Sequence, residues 1–162
     1  MPDILTPEEI MFSNWQPKVV NQFIMYIEGI PTFLINMADR PKLENGTVTL
    51  DHINVQRYVK GKSRWTPVNI SLYDPIVPSG AQAAMEWIRL SHESVTGRDG
   101  YADFYKKTII LNGLGPVGDK VEQWTLKGAW VSNFDGGTFD WSGEEALKIN
   151  LTLTYDFAIL EY

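Results

Sequence analysis

The 162-residue chain contains no cysteine, which excludes disulfide scaffolds, thiolate zinc sites and cysteine nucleophiles. Histidine is scarce. His52 and His92 are the only two and share no motif, and two isolated imidazoles make no metal site. Positive charge is in deficit as well: fourteen Lys and Arg face twenty Asp and Glu, a net charge of −6, the wrong sign for gripping nucleic acid through its phosphates. No apolar run approaches the roughly 18 residues of a membrane span, and the acidic start lacks a secretory-signal pattern. The chain reads as a soluble protein without a membrane partner. The sequons at Asn45, Asn69 and Asn150 then read as chance matches.

What is present is a β pattern. Leu147, Ile149, Leu151, Leu153, Tyr155 and Phe157 alternate with polar residues over Leu147 to Phe157, the period of a half-buried strand. Such a strand cannot hide its apolar side alone, so the chain must supply further strands and a covering element. Gln22 to Glu28 and Pro31 to Met37 flank Gly29-Ile30 and predict a hairpin, apolar on both faces, with one face for the core and one for subunit contact. Ala38 to Gly46 is polar and irregular and reads as an exposed loop. Strands are expected over Thr47 to Lys60, broken near Asp51, and over Arg64 to Tyr73, where Pro67 marks an edge or unpaired entry. Tyr101 to Asn112 and Lys120 to Asn133 predict two more around Gly113 to Asp119, and a Gly-rich turn region, Asp135 to Gly143, leads to the last strand.

Two helices are expected. Thr6-Pro7-Glu8-Glu9 carries a helix start and predicts a short helix to about Asn14. Ser79 and Gln82 have capping-box spacing, and Ala81, Ala84, Met85, Ile88 and Val95 recur at helical intervals until Gly97, which predicts the covering helix. No repeat or linker divides the chain.

The chemical motifs resolve as structure. Gly113-Leu114-Gly115-Pro116-Val117-Gly118 satisfies G-x-G-x-x-G, but Asp119 to Trp124 reads as a strand where phosphate binding needs a helix N-terminus, so the glycines read as a hairpin loop. His92 falls on the helix's apolar stripe and reads as a core or margin residue. Adjacent carboxylates such as Glu8-Glu9 and Glu144-Glu145 diverge on either kind of element and read as solvated charge. Trp124, Leu126 and Trp130 share one strand parity, and core packing or subunit contact explains the six tryptophans better than ligand stacking. No catalytic, cofactor or metal residues emerge, and the chain does not read as an enzyme.

Several residues in succession carry a resemblance. Met85-Glu86-Trp87 on the helix, Tyr105-Lys106-Lys107-Thr108-Ile109-Ile110, Leu126-Lys127-Gly128-Ala129-Trp130, Asp140-Trp141 and the ending Leu151-Thr152-Leu153-Thr154-Tyr155-Asp156 resemble the tail tube protein family of contractile-tailed bacteriophages. That family is related in fold to the tubes of type VI secretion and other contractile injection systems. The likeness covers most of the chain, while Pro67 and the segment before Trp15 depart from the family pattern.

The resemblance implies a mainly β, antiparallel sandwich or barrel-like tail tube fold with one flanking helix. Residues 1–162 form one domain, with an N-terminal arm to residue 15, an exposed loop at 38–46 and a helix at 79–96. It implies a structural subunit whose six-membered rings stack into the conduit for DNA ejection inside a contractile sheath. Asp39 to Gly46 matches the inter-ring loop, which makes Arg40, Lys42, Leu43 and Glu44 candidate stacking contacts. Phe23, Met25, Phe33 and Ile35 are candidates for closing the ring. The implied partners are the chain itself, tail sheath, baseplate and tail terminator proteins, and double-stranded DNA in transit past an acidic lumen without specific binding. The implied location is the virion tail, assembled in the host bacterial cytoplasm. An inner tube protein of a type VI secretion or contractile injection system is the alternative. A carbohydrate-binding β-sandwich module using Trp65 or Trp141 is the alternative of another class.

Overall fold

The computed structural model describes Ile4, Thr6, Pro7 and residues 15–162. From Glu8 on, the expected N-terminal helix lies outside the described residues. Seven strands form one antiparallel sheet: β1 (Phe23–Tyr26), β2 (Ile35–Ala38), β5 (Val68–Tyr73), β6 (Lys107–Leu114), β7 (Lys120–Asp135), β8 (Lys148–Thr154) and β9 (Phe157–Leu160). Its order is β1-β6-β7-β8-β5-β2, with β9 on β7. The other two strands, β3 (Lys42–Asp51) and β4 (Gln56–Thr66), pair only with each other.

The alternation read in the final strand holds through β8. Ile149, Leu151 and Leu153 are buried and meet Leu72, Ile70 and Val68 of β5, with Met25, Ile109, Leu111 and Leu126 in the same cluster. The sheet therefore rolls around one apolar core. The alternation breaks at Tyr155-Asp156, where the chain leaves β8 and returns as β9 along the first half of β7, so Phe157 is exposed.

β7 serves both halves of the roll, since Trp124 to Lys127 pair with β9 while Trp130 to Asp135 pair with β8. The turn between them is Gly128, at φ 67, where a Cβ would collide with the Asp156 carboxylate. The extra residue of this bulge shifts the parity, so Ala129 follows Leu126 into the core and Trp130 falls on the other face, edge-on to Tyr105 at 6.0 Å. The shared parity expected of Trp124 and Trp130 is thereby corrected.

Helix α1 (Gly80–Ser91) starts where its caps require. Ser79 Oγ accepts from Gln82 N–H, and Asp74 Oδ1 accepts from Gly80 and Ala81 N–H at 3.1 and 3.3 Å. Gly80 lets the helix approach the sheet, for a Cβ there would lie 2.6 Å from the Tyr73 carbonyl oxygen. Trp87 is buried and donates its Nε1–H to the Tyr105 carbonyl at 2.7 Å. The helix ends at His92 rather than near Gly97, because Gly97 closes a separate turn by donating to Glu93 O at 2.8 Å. His92 is exposed beside Asp99, at 2.8 Å, not on a core margin. The start of the strand expected from Tyr101 is a short helix, α2 (Ala102–Tyr105), and the glycines after β6 form a hairpin turn closed by Gly115 and Asp119.

Candidate assembly surface

The 38–46 region is not a loop. From Lys42 on it is strand, and with β4 it forms a two-stranded ribbon in which every residue of β3 is exposed. Strands of ten and eleven residues project by about 33 Å at ordinary rise. Pro67 separates this ribbon from β5, and the break near Asp51 is its turn, closed by His52 N–H donating to Val55 O at 2.8 Å.

The ribbon has unlike faces. Opposed residues share a face, so Val48, Val59 and Leu50 present a short apolar stripe edged by Arg57, whereas Thr47 with Lys60, Thr49 with Tyr58 and Asp51 with Gln56 lie on the other, more polar face. Ile53, fully exposed at 100%, and Val55 stand at the tip. An isolated two-stranded ribbon is marginal in water. Its apolar stripe therefore calls for a cover that no described element of the chain provides.

A second surface lies at the ribbon's root. β1 and β2, expected to pair as a hairpin, are instead the two ends of the rolled sheet, on β6 and β5 respectively. Gly29, at φ 87, and the Thr32–Leu34 helical turn carry the chain between them. They leave the roll incompletely closed, with a cavity of about 600 Å³ between Phe23 on one side and Asn36 to Lys42 on the other. Glu122, almost fully buried, sits in this mouth. It accepts from Trp124 Nε1–H at 2.8 Å and from the Arg40 guanidinium, with Lys18 Nζ at 3.4 Å. Burial alone would raise the Glu122 carboxyl, but the Trp124 bond and the Arg40 and Lys18 charges outweigh it and hold the group below the usual carboxylate range. One ionised carboxylate thus ties the N-terminal strip and the ribbon root to the sheet.

The sequence candidates separate on these surfaces. Lys42, Leu43 and Glu44 lie on the ribbon opposite Thr66, Trp65 and Arg64, while Arg40 is engaged with Glu122 and lies over the Trp124 ring. Met25 and Ile35 are 1% and 9% exposed in the subunit's own core, so they offer no surface for a neighbour and are corrected as ring contacts. Phe33, 71% exposed, and half-buried Phe23 remain available. Trp65 is half-buried against Tyr155 at 6.0 Å, unlike an open sugar platform, whereas Trp141 is fully exposed. Sequence reasoning missed Glu122, although its parity with Trp124 and Leu126 put a carboxylate on the core face of an apolar strand.

A family model described as T4-like virus tail tube protein gp19 matches residues 21–157. No curated protein sequence matches the chain. Among solved structures, the fold is similar to the anti-feeding prophage cap, an AFP tube terminating cap, with a TM-score of 0.75 and 15% identity over 97% of this chain and 99% of that one. It is similar to a chain of the PVC sheath-tube complex of an extracellular contractile injection system, with a TM-score of 0.70 and 18% identity over 90% and 91%. It also resembles Hcp1 from Flavobacterium johnsoniae, with a TM-score of 0.55 and 11% identity over 86% and 94%. At these identities the likeness is one of fold.

Proposed function

Since the chain belongs to the T4-like virus tail tube protein gp19 family, we propose that it assembles with copies of itself into six-membered rings that stack as the hollow core of a contractile tail. As a tail tube structural subunit, it is a component of a virion or phage-like particle. The observation that carries the ring and stack is the β3–β4 ribbon, whose apolar stripe of Val48, Leu50 and Val59 is exposed in the single chain. A second copy is the cover always present at equal concentration, and head-to-tail association of unlike surfaces builds rings and filaments. Lys42, Leu43 and Glu44 at the ribbon root are proposed stacking contacts, and Phe23 and Phe33 proposed ring contacts.

The tube carries double-stranded DNA without gripping it, a role that suits a net charge of −6. Sheath, baseplate and terminator proteins surround it, and assembly takes place in the host bacterial cytoplasm. The likeness to the injection-system chain and to Hcp1 favours a second reading in which the same tube carries effector proteins. Negative-stain microscopy of the purified protein tests the tube: rings or tubes are expected, and a monomer alone by sedimentation at micromolar concentration would refute it.

A further inference from the structure

The ribbon joins the body at two points, and proline stiffens both. Arg40-Pro41 leads into β3 and Thr66-Pro67 leads out of β4. Each proline fixes its own φ and holds the residue before it extended. The two links therefore act as an axle, and side-chain contact selects the angle about it.

Trp65 makes that contact. The hydrogen bonds from Tyr58 to Gln56 and from Ser63 to Asn45 stay within the ribbon and brace it without tying it to the body. Trp65 instead packs against the core cluster, with its ring 6.0 Å from that of Tyr155 and tilted by 50°. Tyr155 is 5% exposed, just past the end of β8, and its buried hydroxyl lies beside the backbone of Lys42 on the ribbon's other strand. One buried phenol thus meets both strands of the arm at its root. Arg40 comes before Pro41, so its bond to Glu122 fixes the start of the link and not the arm beyond it.

We propose that Tyr155 is a positioning residue: its ring clasps Trp65 and sets the angle at which the ribbon stands from the barrel. This goes beyond the tube-subunit reading, because the clasp belongs to the single chain. Length makes the angle matter. With an arm of about 33 Å, a swing of about 15° moves the tip by about 9 Å. An arm already aimed has less freedom to lose when its apolar stripe is covered.

The absence of native cysteine allows a direct test by pulsed electron spin resonance. Spin labels at Ile53→Cys on the tip and Val117→Cys in the turn after β6, both exposed, are read in protein diluted into excess unlabelled parent, so that only distances within one chain count. One narrow distance is expected. Trp65→Ala is expected to give about twice the width, the tip being free to swing. Tyr155→Leu keeps an apolar side chain in the core but loses the ring, and is expected to broaden the distance likewise. Tyr155→Phe keeps the ring and is expected to stay narrow. Circular dichroism matching the parent's checks that each variant is folded. A broad distance in the parent, a folded Trp65→Ala or Tyr155→Leu protein as narrow as the parent, or a Tyr155→Phe protein as broad as Tyr155→Leu overturns the clasp and leaves the tube reading standing. A parent that never assembles but keeps the narrow distance overturns the tube reading alone.

Discussion

Removing Arg40 should weaken the fold itself. Glu122 has only 7% of its side chain exposed and three partners, of which the Arg40 guanidinium is a direct donor. In Arg40→Ala the carboxylate keeps Trp124 and Lys18 but loses that donor, and a buried charged acceptor left short of a partner costs about 1–3 kcal/mol. Arg40 itself is 64% exposed, so solvent screens part of the pair, and the lower half of that range, about 1.5 kcal/mol, is expected. For a domain of this length that corresponds to a fall in Tm of about 3–6 °C, read by circular dichroism. Arg40→Glu replaces attraction with repulsion and should cost about 3 kcal/mol or more. A cycle with Glu122→Gln should return a coupling of about 1–2 kcal/mol. Acid adds a signature. Folding lowers the Glu122 pKa, so the cluster stabilises fully above the unfolded value of about 4.3 and the benefit is lost as pH falls through the lower folded value. The gap between parent and Arg40→Ala should therefore narrow below about pH 4. A Tm within roughly 1 °C of the parent at neutral pH, or a gap that widens in acid, would refute the reasoning.

Two further expectations rest on single positions. Gly128→Ala forces a side chain onto a left-handed residue and into the Asp156 carboxylate, so it should lose about 2 kcal/mol or more in urea denaturation, whereas Gly118→Ala, at φ 81 with open space around it, should lose about half as much; equal losses would sink the collision argument. Trp87→Ala should cost about 3–5 kcal/mol, while Trp141→Ala, at a fully exposed site, should stay within about 0.5 kcal/mol in the unassembled protein.

The barrel was legible in the sequence wherever a strand had one face in the subunit's own core. β8 carried its period of two because Ile149, Leu151 and Leu153 answer to one interior, and the helix start at Ser79 was legible because capping is local chemistry. Pairing was not legible for β1 and β2. Two apolar runs across a glycine have the local form of a hairpin, and only the long-range contacts with β6 and β5 draw them to opposite ends of the sheet. The parity of Trp130 failed for a related reason, since the bulge at Gly128 shifts the faces of Ala129 and Trp130 relative to Trp124 and Leu126.

The ribbon was legible in part: Thr47 to Lys60, with its break near Asp51, reads as strand, whereas Lys42 to Gly46 reads as loop, and that difference bears on what the ribbon does. Lys42-Leu43-Glu44-Asn45-Gly46 has the composition of a loop because no core of its own subunit selects its residues; all ten positions of β3 are exposed. A strand whose side chains answer to no interior of the same chain either frays or answers to a surface elsewhere. This one keeps Val48 opposite Val59 and sets Ile53 at its end, expensive choices for a segment meant to remain in water. Val48, Leu50 and Val59 answer to no interior of their own subunit, so the ribbon's apolar pattern is half of a contact whose other half lies outside the chain.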